Sequence, residues 1–463
     1  MSWGTADGID RTAKILIDSG KVGDHEAASR YLDGLILQIA VGPEIERDPA
    51  AQAALATVVN AGRRAYHGGV LVHLELDSIL TAGWTNGMTA SQVVSRYGGT
   101  VVNQLTDGHP TLTIGRPKLA VGGPVLHLTW KGWTGGVVQS SNDMLCGRGI
   151  SPAGILAAAL GISETFQQQL GAVVPGHRDV GISLWAPDID WRVEDAMGPP
   201  LLYLPADLWL LGLGHLGQAY AWTLGLLPYA TPTELQLGLV DFDYILKGNT
   251  ATQLLTSNND IGRRKTRTIA AALDDLGFTT RIVERAFDMN FHPVSHGNQV
   301  RNEPTFALAG FDDVAPRRAL KLGKDNFARI VDAGIGVGVG EYLDMVIHSF
   351  PAAEDPKDAF YDDPRTSHPL EQVYEDEIAR QVKGGIEANA ARCGMLDIAG
   401  VTAGAAFVGT VASTLVVADI LRVLQGGENY SVIAVDLRTV EIGAVPNSAP
   451  GQIIMPSCTS AWS

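Results

Sequence analysis

The chain has 463 residues, 46% of them hydrophobic, which is enough for two ordinary domains with sizeable cores. Its formal charge of -16 sets a repulsive field against phosphates, excluding non-specific contact with nucleic acid or an anionic membrane and leaving small molecules and proteins as partners. The three cysteines, Cys146, Cys393 and Cys458, contain no CxxC pair, so neither a disulfide framework nor a four-cysteine zinc site can be built within one chain, and no zinc is expected.

The first residues, MSWGTADGIDRTAK, lack the basic-then-apolar signature of a signal peptide, and no uninterrupted apolar stretch reaches the length of a membrane span. A soluble, cytoplasmic protein is the expectation. Residues 53–76 read as a helix running into a strand, 151–171 as an Ala-rich helix, and VGISLWA as a strand after it. The stretch WAPDIDWRVEDAMGPP, 185–200, is broken by Pro187, Pro199 and Pro200, and its acidic residues exclude it from a core; the domain boundary is placed there, giving domains 1–190 and 191–463. Beyond it strands and helices alternate: strand 207–212, helix 215–227, strand 235–242, helix 260–276, then strands at 280–285, 305–311 and 328–334. That rhythm predicts an α/β fold with a doubly wound, mostly parallel Rossmann-like sheet.

Within it lies GLGHLG, with Gly212, Gly214 and Gly217 between an apolar strand and a helix whose free N–H groups and positive dipole end suit a phosphate. The following strand ends in Asp241 and Asp243, where a carboxylate holds ribose hydroxyls in NAD and ATP sites alike. On these residues alone both nucleotides stand.

The next stretch, DFDYILKGNTATQLLTSNNDIGRRKT (241–266), has no counterpart in a dehydrogenase and resembles the ThiF/MoeB/ubiquitin-activating enzyme superfamily. Asp241, Asn249, Gln253, the Asp260-Ile261-Gly262 turn and Lys265 fall in that family's order without a gap. ALAGFDDVAPRRAL (307–320) is similar to its Asp-Asn-x-x-x-Arg block, with Asp312 in the aspartate place and Arg317 in the arginine place, and residues 393–427 are similar to its late helix. The resemblance implies adenylation, in which a protein's C-terminal carboxylate attacks the α-phosphate of ATP and pyrophosphate leaves. It assigns Asp241 to the ribose, Asn249 and Gln253 to phosphate hydrogen bonds, Lys265 with Arg263 or Arg264 to the charge developing on the phosphates, and Asp312 to Mg²⁺. One departure stands out. Thr252 occupies the place of the family's arginine before the glutamine, and a threonine hydroxyl cannot make a bidentate charged contact. Arg263, Arg264 or an arginine from the other domain has to replace it, since the family commonly uses an arginine supplied across a subunit or pseudo-subunit interface; otherwise the site is weak or dead.

SPAGILAAALGISETFQQQLG (151–171) aligns without gaps to AFVGTVASTLVVADILRVLQG (406–426) at a constant offset of 255, pairing Gly154 with Gly409 and Glu164 with Asp419. Each copy is followed by a strand-like run. Set beside the resemblance, this implies a fused pair: a degenerate N-terminal adenylation-like domain without the glycine motif, offering structure, partner surface and an arginine such as Arg11 or Arg30, and a C-terminal domain that keeps the ATP residues. Family members act as dimers or fused pseudo-dimers, which also leaves a homodimer open.

Some relatives pass the acyl group to a cysteine in the crossover before the last helix, where Cys393 sits beside Arg392. The crossover segment, 351–400, is acidic and proline-broken over 351–385, with a short helix expected near 369–382; it is where partner choice would be read. Cys146 has no matching context, and Cys458 in MPSCTSAWS resembles half of a family zinc motif whose partners are absent. The leading function is activation of a ubiquitin-like protein ending in glycine, with Mg-ATP, a thioester step at Cys393 and a conjugating-enzyme-like partner downstream. Lack of the zinc cysteines tilts this, by analogy, toward bacterial conjugation-type systems, some of them antiphage. A catalytically silent scaffold, motivated by Thr252, and an NAD-dependent oxidoreductase, motivated by the glycines alone, are the alternatives.

Overall fold

The computed structural model describes residues 10–118, 123–293, 306–323, 326–336, 340–360, 403–447 and 457–461. Two short helices, α1 (Arg11–Asp18) and α2 (His25–Asp33), lead into a first sheet built from β1 (Ile36–Val41), β2 (Gly69–Leu74), β3 (Thr100–Val101), β4 (Thr111–Ile114), β5 (Val125–Lys131), β6 (Thr134–Val138) and β7 (Val180–Ser183). Its order is β3-β2-β1-β4-β5-β6-β7, parallel as far as β5 and antiparallel beyond. The strands β1 and β4 read ILQIAV and TLTI, unbroken rather than alternating, and are buried along nearly their whole length, as strands covered on both faces must be. Helices α3 (Pro49–Gly62), α4 (Ala90–Arg96) and α5 (Ser151–Gln169) complete this half.

The second half opens with β8 (Tyr203–Pro205) and continues through β9 (Asp207–Leu211), β10 (Gln236–Val240), β11 (Thr279–Val283), β12 (Phe306–Ala309), β13 (Arg329–Ile335), β14 (Asp344–Phe350), β15 (Tyr430–Asp436) and β16 (Glu441–Pro446). A final strand, β17 (Cys458–Ser460), returns to pair with β8. Helices α6 (His215–Leu224), α7 (Lys265–Asp275), α8 (Val314–Arg318), α9 (Pro356–Ala359) and α10 (Ala406–Leu424) connect them. The sheet runs β11-β10-β9-β12-β13-β14-β15-β16, parallel from β11 to β13. Apart from β16 the two sheets have one strand order, each strand of the first half having a counterpart in the second. Both α5 and α10 have 19 residues and enter between the sixth and seventh strands of their sheet, at the offset of 255 seen in the sequence.

These two helices face each other, with α3 beside α5 and α6 beside α10, so a helical layer joins the halves. Every residue of α10 is buried, and each Val, Leu or Ile among them contributes roughly 1.5–3 kcal/mol of burial. This helix is long and apolar enough, with a mean hydropathy of 1.8, to resemble a membrane span by length and composition, but it is interrupted by Asp419 and Arg422 and wholly buried, as the central core helix. Polar cross-links fix the halves: Trp84 Nε1 donates to the Trp222 carbonyl at 2.9 Å, Trp222 Nε1 to Thr57 Oγ1 at 3.0 Å, and Arg422 Nη1 to the Leu184 carbonyl at 2.7 Å. The proline-broken stretch 185–200 also departs from expectation, because Ala196 and Met197 are buried and the Ala196 carbonyl accepts from Ser183 Oγ at 2.7 Å. The connection is held against the first half and does not run clear of its core.

Candidate functional site

The strand order of the second sheet reverses between β9 and β12, and at such a switch point the carboxyl ends of the strands leave a crevice. The glycine loop sits at its floor. Gly212 leaves β9 with φ +84, the left-handed region that favours glycine. Gly214 caps α6 without a side-chain hydrogen bond, and a Cβ built on it would meet nothing within 4 Å, so any side chain there would stand in the crevice where the helix presents its free N–H groups. A Cβ on Gly217 would collide with the Gly212 carbonyl, which makes this glycine a requirement of helix-to-strand packing.

Above the loop is a cavity of about 520 Å³ lined by Gly212, Gly214, Asp241, Asp243, Asn249, Gln253, Lys265 and Asp312, so the structure gathers these sequence-chosen residues, contributed by several elements, into one place. Asp241 follows β10 and is aimed by two backbone donors: Oδ2 accepts from Leu213 N and Oδ1 from Asp243 N, both at 2.7 Å. Its remaining lone pairs are available to hydroxyl donors. Lys265 Nζ donates to Asp243 Oδ2 at 2.6 Å, with the lysine side chain nearly buried. Asn249 Oδ1 caps its own turn by accepting from Leu246 N at 3.0 Å. Gln253 Oε1 accepts from Gln218 Nε2 at 2.8 Å, and Gln218 Oε1 accepts from Leu255 N at 3.0 Å, a chain that turns the Gln253 amide so that its NH₂ is the end left to a ligand. Arg263 and Arg264 are absent from the lining. Arg263 pairs with Asp260 at 3.4 Å, while Arg264 Nη1 donates to the Phe242 carbonyl and its guanidinium lies 4.1 Å from the Tyr244 ring centre, so both cations are engaged elsewhere.

Thr252, in the arginine place, is fully buried and does not line the cavity; its Oγ1 has no hydrogen-bond partner. A cation arrives from the first half instead. Arg11 opens α1 and lines the cavity; its carbonyl accepts from Gly404 N at 3.2 Å, and Thr12 Oγ1 donates to the Gly404 carbonyl at 3.3 Å, which pins this helix start to the segment entering α10. Burial lowers the Arg11 pKa and the charge of Asp312 raises it, so the two face each other electrostatically. Arg30, the other candidate, is an exposed residue paired with Glu26.

Other lining residues were not anticipated, among them His215, Arg285 and Phe311. His215 is the first residue of α6, and burial, reinforced by the charges of Arg11 and Arg64, pushes its pKa down to about 3, so it is a neutral imidazole. Its ring faces α10 at Gly409, where a Cβ would come within 2.6 Å of Cδ2 and closer still to Nε2. Gly154 matches Gly409 in the first half, and a Cβ there would strike the backbone of Ala50 at the start of α3, so the paired glycines do the same packing job twice. Arg285 and Phe311 also line the cavity, just beyond the ends of β11 and β12, and strand-end position in a doubly wound sheet is the signal that could have found them. Arg317 lines it too, but its fork is bidentate on Asp332, 3.1 and 2.5 Å, and burial holds that carboxyl up at about 6 in spite of the arginine.

In the first half the corresponding place is filled. Gly42 follows β1 as Gly212 follows β9, and Gly115 follows β4 as Gly310 follows β12; the Glu44 carboxylate lies between them, accepting from Arg116 N at 3.1 Å, and a Cβ on Gly42 would be 2.6 Å from its Oε2. Cys393, and the helix expected near 369–382, lie outside the described residues. Cys146 and Cys458 are exposed.

A family model described as the BilD N-terminal domain matches residues 36–184, and one described as the BilD C-terminal domain matches 204–427. The bacterial E1-like protein BilD of Collimonas sp. (strain OK412) is 36% identical over 454 residues, covering 94% of this chain and 94% of its own. The chain belongs to the BilD family of bacterial E1-like proteins. Among solved structures, E. coli MccB with succinimide covers 71% of this chain and 97% of its own at 12% identity and a TM-score of 0.31, and E. coli MccB with AMPCPP and MccA covers 70% and 96% at 13% and 0.31. The two sheets with one strand order are thus a property seen in a BilD-family chain, each sheet falling within the span of one of the two family models except for β15 and β16.

Proposed function

We propose that this BilD-family protein binds Mg-ATP in the second-half crevice and adenylates the C-terminal glycine of a ubiquitin-like protein. The observation that carries the reading is the convergence of Asp241, Asn249, Gln253, Lys265, Asp312 and Arg11 around one cavity over a helix N-terminus. The open space at Gly214 fits the close approach of a phosphate. Magnesium fits as an ion carried by the nucleotide, which needs one or two carboxylates besides phosphate oxygens, and Asp312 supplies one. Among the described residues no three His, Cys, Asp or Glu side chains form a metal cluster of their own.

In the reaction the carrier's carboxylate oxygen bonds to the α-phosphorus, the bond to the bridging oxygen breaks, and pyrophosphate leaves. Bound magnesium would neutralise phosphate charge. Asp241 orients the ribose, the Gln253 amide and the α6 N–H groups hold phosphate oxygens, and Lys265 and Arg11 stabilise charge that grows toward the leaving group. Arg11 stands in for the cation that Thr252 cannot provide. Lys265 is held by Asp243, so it has to share that carboxylate with, or give it up for, a phosphate. The first half is read as a non-binding partner domain, since the Glu44 carboxylate would repel an anion at the matching place. A thioester follows if the Cys393 thiolate attacks the acyl carbon and AMP departs.

The test is ligand-dependent melting. A hundredfold excess of Mg-ATP over Kd raises stability by about 2.7 kcal/mol, whereas NAD shifts nothing. A shift with NAD and none with Mg-ATP refutes the proposal and restores the oxidoreductase.

A further inference from the structure

Asn249 and Gln253 reach the cavity from one loop, a 3-10 turn over Lys247–Ala251 and the residues after it. Such a short turn leaves its last carbonyls without partners. Here the carbonyl of Thr250 inside the turn, and those of Leu254 and Thr256 after it, accept from two side chains of the first half at the end of α3. Arg64 Nη1 donates to the Thr250 carbonyl, and Nη2 donates to the carbonyls of Leu254 at 3.1 Å and Thr256 at 3.2 Å. Asn60 Nδ2 donates to the Leu254 carbonyl at 3.0 Å, and its Oδ1 accepts from Arg64 Nη2 at 3.2 Å. Both side chains are buried, at 4% and 1% exposure.

We propose that Arg64, supported by Asn60, is a positioning residue for ATP phosphates: it locks the carbonyl side of the loop presenting Asn249 and Gln253 and places a fixed positive charge behind it. This rests on the Mg-ATP reading of the crevice. Two observations carry it. The first is the choice of a charged group where a neutral donor would cost less: all the hydrogen bonds recorded for the guanidinium end on uncharged oxygens, so its desolvation is not offset by a hydrogen-bonded carboxylate. Burial, reinforced by the neighbouring Arg63, holds its pKa well below the ordinary arginine value, and Asp10 opposes this by charge without a hydrogen bond to it. The second is reach. The charges of Arg11 and Arg64 both act on His215, the first residue of the helix under the phosphates, so Arg64 contributes to the potential of the cavity from outside it. A buried cation at the carboxyl end of α3 is also favoured by that helix's dipole, which helps to retain the charge. The loss of an arginine at position 252 is thereby offset twice, by Arg11 inside the cavity and by Arg64 behind the loop.

The experiment is displacement of a fluorescent ATP analogue from the full-length chain by ATP and, separately, by adenosine. Arg64→Gln should weaken ATP about tenfold and leave adenosine within about twofold, because only the phosphates feel the loop and its charge, with Arg64→Lys falling between. A merely structural role would weaken both ligands together, and that result, or unchanged ATP affinity, overturns the assignment. If Arg64→Gln does not fold, Asn60→Ala, which keeps the charge but frees one anchor, should show the same discrimination at about threefold, and equal effects on both ligands overturn it there. Wild-type protein that binds neither ligand contradicts the nucleotide reading itself, a failure distinct from wild-type binding that Arg64 variants leave intact.

Discussion

Replacing Gly409 by alanine probes how closely α10 is fitted to the start of α6. The added methyl would lie 2.6 Å from His215 Cδ2, about 1 Å inside ordinary carbon–carbon contact, and the ring edge it meets, with Nε2, is buried against α10, so the ring can yield only by turning toward the cavity. Overpacking of this size costs about 1–3 kcal/mol, from which the better helix propensity of alanine returns somewhat under 1 kcal/mol. The net loss of about 0.5–2 kcal/mol should lower the melting temperature by roughly 0.5–2 °C for a chain of 463 residues and the denaturant midpoint with it, and relief by rotation of the ring toward the cavity should also weaken Mg-ATP. Gly154→Ala serves as the matched control: the added Cβ meets the Ala50 backbone, with the carbonyl carbon 2.7 Å away, so stability falls further while nucleotide affinity does not change. Combining Gly409→Ala with His215→Ala removes the clash and should be markedly less destabilising than the sum of the two. Gly409→Ala protein as stable as wild type, or strict additivity in the double variant, would refute the packing argument.

His215 makes a pH prediction whose sign follows from its depressed pKa. Between pH 6.5 and about 3 the unfolded chain takes up a proton at this imidazole that the folded chain refuses, so stability falls as pH falls, by about 2 kcal/mol at pH 5. Urea unfolding of His215→Gln should show a correspondingly flatter acid limb; His348, lowered to about 4, acts in the same direction in both proteins and cancels in the comparison. Asp419 on α10 accepts from Arg329 at 2.7 Å, Ser349 at 3.0 Å and Arg422 at 3.2 Å, so Asp419→Ala strands two buried guanidinium groups and should cost about 3–5 kcal/mol in denaturant unfolding. If Cys393 is the acyl acceptor, Cys393→Ala still forms adenylate but loses a thiol-releasable carrier adduct, while Cys146→Ala and Cys458→Ala keep it; an adduct persisting in Cys393→Ala removes the assignment.

What could be read from the chain divides by sequence distance. The strand–glycine–helix turn, the carboxylates after β10 and the Lys265 helix are each local patterns, and the structure brings them together as their order implies. The paired helices were legible as well, since α5 and α10 keep a constant offset, although the identical strand order of the two sheets emerges only from the pairing. Arginines were the hardest to place. Arg264 belongs to the motif stretch, yet Tyr244 and the Phe242 carbonyl take its charge before it can reach the cavity. Arg11 and Arg64 act across the two halves, Arg64 on loop residues 186 to 192 positions away, and no periodicity encodes such a contact. His215 sat inside the quoted motif, but its neutral state is set by the packing of its ring against α10 and by two distant arginines.

The central claim is that one crevice in the second half performs adenylation with help from the first. It is tested most directly by carrier-dependent exchange of labelled pyrophosphate into ATP, comparing wild type with Arg11→Ala. Exchange that requires the ubiquitin-like protein and falls by about a hundredfold in Arg11→Ala is the predicted result, the size expected for losing one fixed cation at the transition state. Absence of exchange from wild type that binds both Mg-ATP and the carrier would contradict it and leave the chain a silent scaffold.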